Sequence, residues 1–122
     1  MRPLLRLTVP SSVACALALA LVGVGGGLAL AGEPATPLGK WMKPNMGAPM
    51  AEQDFATLAT SLALVASKPP PGAAYGQWAS FASAGAAAAG KQDLAGVKAS
   101  CKHCHDAYKE SYKKDFATRA FP

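Results

Sequence analysis

Five consecutive residues toward the C-terminal end, Cys101-Lys102-His103-Cys104-His105, hold the densest chemistry in the chain. Two thiols stand three positions apart, and an imidazole follows the second one directly. This C-x-x-C-H spacing is the one at which both thiols add to the vinyl groups of a haem while the following histidine binds its iron. Helical geometry accounts for the spacing. At about 100° per residue, Cys101, Cys104 and His105 fall within an arc of roughly 100°, whereas His103 points elsewhere and reads as a solvated side chain. Other chemistries for these residues need partners that the sequence does not supply. A thiol–disulfide oxidoreductase places C-x-x-C beside a βαβ pattern, and no strand pattern is present. A zinc site needs four tetrahedral ligands, and apart from Cys15 every cysteine and histidine lies within these five residues. A structural disulfide across two intervening residues closes too short a loop to stabilise much.

The N-terminal end states where this chemistry takes place. Arg2 and Arg6 form a positive start, Val13 to Leu30 is apolar without a charge, and Ala29-Leu30-Ala31 offers small residues at −3 and −1. Residues 1–31 therefore read as a signal peptide cut before Gly32, which removes Cys15 and sends residues 32–122 to the periplasm as one haem-binding domain. Retention of the segment would make it a membrane anchor, but Gly23, Gly25, Gly26 and Gly27 weaken a lasting helix there. Of the chain's twelve cations Arg2 and Arg6 leave with the leader, so ten remain against seven acids, a net charge of +3. These cations are intermixed with acids and lack interleaved stacking aromatics, which excludes a nucleic-acid interface. A domain this small buries limited apolar surface, a reason for such folds to recruit a cofactor into the core.

The elements that must position the five residues are helical. Leu94, Val97, Cys101, Cys104, His105, Tyr108 and Tyr112 follow one stripe of a helix beginning near Gln92 or Asp93, so the C-x-x-C-H run is expected mid-helix. Upstream, Phe55, Leu58, Leu62 and Val65 recur at helical steps within 51–67, with Glu52, Gln53 and Asp54 in the first turn, and Pro69-Pro70-Pro71-Gly72 stops that helix. Trp78, Phe81, Ala82, Gly85 and Ala89 line one face of a third helix over 75–89 that ends at Gly90; its small residues admit a close neighbour. Thr36-Pro37-Leu38 has the form of a helix start, leading through Trp41 to about Met46 with an interruption at Pro44. The expectation is an all-α fold, a short or incomplete four-helix bundle around one covalently attached haem.

Every methionine beyond the leader, Met42, Met46 and Met50, precedes the C-x-x-C-H run. This reverses the common small cytochrome c order, in which the haem motif comes early and a methionine ligand follows. A C-terminal C-x-x-C-H on the last helix, continued here by Asp106-Ala107-Tyr108-Lys109, resembles the class II c-type cytochromes, cytochrome c-prime and its low-spin, methionine-ligated relatives. The match covers about Asp93 to Lys113, with vaguer similarity back to about Pro37; Lys109 stands where that family often has arginine. The resemblance implies a four-helix bundle with haem c among the helices, Cys101 and Cys104 as thioether residues, His105 as proximal ligand, and the sixth-ligand side facing the first helix.

The sixth ligand then selects the function. Methionine sulfur gives a six-coordinate iron suited to electron transfer, with a raised potential, while an open position suits nitric oxide or carbon monoxide. Met42 is the first candidate because Trp41-Met42 sits on the best helical part of its segment; Met46, four residues on, is the alternative, and Met50 falls past Gly47 and Pro49 in the expected turn. The sequence supports an exported, non-enzymatic monohaem cytochrome passing single electrons between periplasmic redox proteins, with a five-coordinate gas binder as the alternative. Lys98, Lys102, Lys109, Lys113 and Lys114 surround the haem helix and could steer an acidic partner, although a plain solvated face is the commoner explanation. Asp106 and Glu110 read as surface charges, and nothing selects between monomer and homodimer.

Overall fold

The computed structural model describes residues 35–122. The signal peptide expected at 1–31 and the cut before Gly32 lie outside the described residues.

All regular structure among the described residues is helical: α1 (Pro37–Met42), a wide π-turn (Lys43–Gly47), α2 (Ala48–Glu52), α3 (Phe55–Ala66), a single 3₁₀ turn (Ala73–Tyr75), α4 (Trp78–Gly90) and α5 (Leu94–Asp115). None of these helices is long and apolar enough to cross a membrane. α1, α3 and α5 each start where a side chain takes over an orphan backbone donor. Thr36 Oγ1 accepts from Gly39 N–H at 3.0 Å, with Pro37 at the first helical position, and Asp93 accepts from Gly96 N–H at 2.9 Å.

Three boundaries differ from the sequence expectation. α4 begins at Trp78, because Tyr75 closes a separate 3₁₀ turn before it. Ala51 and Glu52 close α2 instead of opening α3, because Asp54 caps α3 by accepting from both the Thr57 N–H (3.1 Å) and the Thr57 hydroxyl (2.6 Å), while Gln53 turns the chain in the left-handed region at φ 56°. The first helix does not stop near Met46. It runs on to Glu52 through Pro44 and Pro49, since the missing proline donors are accommodated by widening one turn to the i→i−5 pattern, with Ala48 N–H bonded to the Lys43 carbonyl. Inside that turn the Asn45 side-chain amide donates to the Trp41 carbonyl at 2.8 Å. Met50, expected in a turn, is therefore helical.

Pairing residues run in opposite order between neighbouring helices. Leu58 and Leu62 of α3 meet Ala89 and Gly85 of α4, and at the other end the Trp78 indole N–H donates to the Val65 carbonyl at 2.8 Å. Along α4 and α5, Ala88 lies against Gly96, Gly85 against Ser100, Phe81 near His103, and Trp78 stacks on Tyr112 at 5.5 Å between ring centroids. Helix 37–52 places Leu38 with Val65 and Met50 with Leu58 and Leu62, so it too runs antiparallel to α3. Two core clusters result. One, around Leu58, Leu62, Ala89 and Val97, is aliphatic; the other, around Leu38, Val65, Tyr75, Trp78, Tyr108 and Tyr112, is aromatic. Tyr75 and Tyr108 also anchor the loop before α4, through Asp115 (3.2 Å) and the Gln77 N–H (3.0 Å).

The α4–α5 seam depends on Gly85. A Cβ there would come within 2.6 Å of Ser100 Oγ and 3.1 Å of a Leu62 methyl, whereas a Cβ at Gly90 would meet nothing within 4 Å. Gly85→Ala should therefore destabilise the protein by about 1–3 kcal/mol through overpacking. Gly90→Ala should be neutral or stabilising by up to about 1 kcal/mol. Chemical denaturation of the two variants beside the wild type checks the contrast, and equal midpoints would refute the close seam.

Candidate functional site

The stripe of α5 that enters the core carries the C-x-x-C-H run in its middle. Val97 and Ser100 are buried before it, and Tyr108 and Tyr112 after it. Cys101 packs against the aliphatic cluster and Cys104 against the aromatic one, both thiols half-buried and free. Between the clusters the packing leaves a largely apolar hollow of about 340 Å³. Cys101, Cys104 and His105 of α5 line one side, Met42, Met46 and Met50 of helix 37–52 another, with Leu62, Val65 and Ala82 between them. A second hollow of about 210 Å³ shares Met42, Lys43, Cys104 and His105 with the first. Leu38, Trp78, Tyr108 and Tyr112 also line it, together with Lys109 and Lys113.

The sequence-derived candidates thus converge. Cys101, Cys104 and His105 face the same space, and His103 is exposed, its ring 6.1 Å from that of Phe81. All three methionines reach the larger hollow, and Met42 lines both. Met50 belongs with them, a correction to its expected place in a turn. Sequence reasoning missed Ser100, a buried hydroxyl that ties α5 to the Phe81 carbonyl; Lys43 lines both hollows. The small-residue face of α4 was the available signal for Ser100, since a seam that tight leaves a hydroxyl no water to bind. Among the surface charges, Asp106 pairs with Lys102 and Glu110 with Lys113, one helical turn away in each case.

Electrostatics keep the donors neutral. Burial pushes the Cys101 thiol up, and burial followed by the nearby Cys101 pushes Cys104 up to about 11. His105 is exposed at the opening, and its pKa falls below the ordinary 6.5 through partial desolvation and then the Lys109 ammonium, so the imidazole keeps a free lone pair at neutral pH. Cys101 lies well inside α5 instead of at its N-terminus, where a helix dipole would lower a thiol pKa, and this setting is the reverse of a disulfide-exchange site. Among the described residues no three His, Cys, Asp or Glu side chains gather closely enough to share a metal ion. A metal here would have to draw on methionine sulfur or on a bound group's own donors.

Among the described residues one buried side-chain polar atom has no partner. The Tyr112 hydroxyl makes no hydrogen bond, and its pKa is raised by burial, against the opposing pull of Arg119. What the arrangement can do is hold a flat apolar group between helix 37–52 and α5, tethered by two sulfurs, with one nitrogen donor on the tether side and thioethers opposite. Comparison of the chain with protein-family models, with curated proteins and with solved structures returns no match.

With both thiols protonated, iodoacetamide labelling of the free-thiol protein at pH 7 should be much slower than that of an unstructured cysteine peptide. It should climb steeply as pH approaches the Cys104 value of about 11. Rapid labelling at neutral pH would contradict the burial seen here.

Proposed function

We propose that this chain is an exported monohaem c-type cytochrome of the class II kind, a four-helix bundle that carries single electrons between periplasmic redox proteins. The observation that carries the reading is the convergence of Cys101, Cys104 and His105 with Met42 on one apolar hollow. The donor set fits a haem c. Two free thiols would supply the thioether links, the neutral His105 imidazole would supply a nitrogen ligand, and Lys43, Lys109 and Lys113 would supply positive charge to offset a haem's carboxylates. Bound haem would provide a one-electron iron couple. The chain's part is to exclude water with Leu38, Trp78, Tyr108 and the methionines, to hold the ring through two sulfurs, and to offer a thioether that raises the potential. No catalytic step is required. A methionine wall opposite His105 favours the six-coordinate electron carrier over a five-coordinate binder of nitric oxide or carbon monoxide.

Co-expression with a haem-maturation system tests the reading. The product should retain haem after denaturation, show a low-spin ferrous spectrum and resist carbon monoxide. Cys101→Ala and Cys104→Ala should each leave a single thioether and a less securely held haem, and His105→Ala should disrupt coordination. Met42→Ala should turn the spectrum high-spin and open the iron to carbon monoxide. An unchanged spectrum in Met42→Ala would transfer the ligand role to Met46, and a wild-type protein without haem would overturn the proposal.

A further inference from the structure

Helix 37–52 contains one turn of unusual width. Between Lys43 and Gly47 it opens to the i→i−5 pattern. Pro44 and Pro49 lack the N–H groups that would serve the carbonyls of Lys40 and Asn45 in a regular helix. A turn of this kind absorbs one extra residue, so everything beyond it is rotated back by about 100° relative to an uninterrupted α-helix. The consequence falls on the methionines. In a regular helix Met42 and Met50, eight positions apart, would differ by about 80° in direction; with one residue absorbed they differ by about 20°. The lining agrees, since Met42, Met46 and Met50 all reach the hollow that holds Cys101, Cys104 and His105. Met46 also touches both core clusters.

We infer that Pro44 and Pro49 are positioning residues for the sixth ligand: the wide turn they impose brings Met42 onto the cavity face while Met46 and Met50 keep their seats in the core. The inference rests on the haem reading above. The two halves of the helix are not equally held. The wide turn and α2 pack on α3 and are tied to it by the short Gln53-Asp54 connection, whereas α1 rests on the aromatic cluster through Leu38, with Trp41 and Met42 beside it. A regular helix cannot seat both halves at once. The more weakly tied α1 would swing by about 100°, taking Met42 out of the hollow and leaving Met46 and Met50 in place.

The test compares the haem-loaded wild type with Pro44→Ala/Pro49→Ala, and with the same double variant lacking Gly47. Gly47 is exposed and a Cβ there would meet nothing within 4 Å, so its deletion removes no side-chain contact. Deleting one residue from a regular helix restores the phase that the wide turn supplies. The wild-type ferric protein should show the weak long-wavelength sulfur-to-iron charge-transfer band. The double variant should keep its covalent haem and its far-UV helix signal, lose the band, and bind carbon monoxide when reduced; the deletion should bring the band back. An intact band in the double variant overturns the inference, and so does a loss that the deletion fails to reverse. Should the double variant not fold, the deletion variant decides alone, because the inference requires it to fold and show the band. A wild type that takes up haem without the band removes the methionine ligand and this inference with it, while a wild type that takes up no haem overturns the underlying reading first.

Discussion

A helix has one inward stripe, and α5 must use its stripe for two purposes. Its ends close the core, Val97 and Ser100 against the aliphatic cluster and Tyr108 and Tyr112 within the aromatic one. The middle of the stripe, Cys101 and Cys104, is occupied by small side chains that cannot fill the span between them. The hollow follows from that substitution of small for large at the centre of an otherwise sealed face. His105 lies at the edge of the same stripe, which is why it can line the hollow and still be exposed. Were α5 to turn by one residue, the thiols and the two buried tyrosines would leave the core together.

The surrounding helices are shaped by this arrangement. α4 presents Ala82, Gly85 and Ala89 inward, so α4 and α5 approach until Ser100 can bond the Phe81 carbonyl. Close approach on that side leaves the open space on the other, beneath helix 37–52. Small inward residues also bury little apolar area, and among the described residues Leu58 and Val97 are the largest side chains sealed completely from solvent. The aromatic cluster compensates at the other end, where Tyr75, Trp78, Tyr108, Tyr112 and Phe116 pack with ring centroids 5.2 to 6.3 Å apart. A group occupying the hollow would join the two clusters into one core, and binding to the folded chain alone stabilises it by mass action.

Much of this was legible in the sequence because it depends on periodicity. The stripe from Leu94 to Tyr112, the inward face of α4 and the spacing Phe55, Leu58, Leu62, Val65 follow from a step of about 100° per residue and needed no tertiary information. What was not legible depends on competition between local interactions. Asp54 reads equally well as a first-turn acid or as a cap, and the Thr57 hydroxyl decides in favour of the cap. Gln53 and Gln92 adopt φ near 56° and 57° without being glycine or asparagine, so neither turn was marked by its residue type. Pro44 read as an interruption and Pro49 as part of a turn because a single proline disrupts a regular helix. Two of them five apart, one inside a turn that widens and one just beyond it, are compatible with continued helix, and no single-residue rule contains that pairing.

The charge state of the site ties the local geometry to the kind of ligand it can accept. Desolvation favours protonated thiols and a neutral His105, and the methionines carry no charge, so these donors are uncharged at pH 7. The formal charges that line the two hollows are the cations Lys43, Lys109 and Lys113. A bare divalent ion would meet no anion there to offset its desolvation, and the surrounding lysines would repel it. An apolar body with negative charge confined to its periphery meets the opposite conditions: its body lies against Leu38, Trp78 and the thioethers, and its charge toward the ammonium groups. The same asymmetry separates this C-x-x-C from a thiol-exchange motif, whose chemistry needs a stabilised thiolate and an exposed sulfur. Mid-helix, half-buried and protonated, these two cysteines are placed to hold something in position.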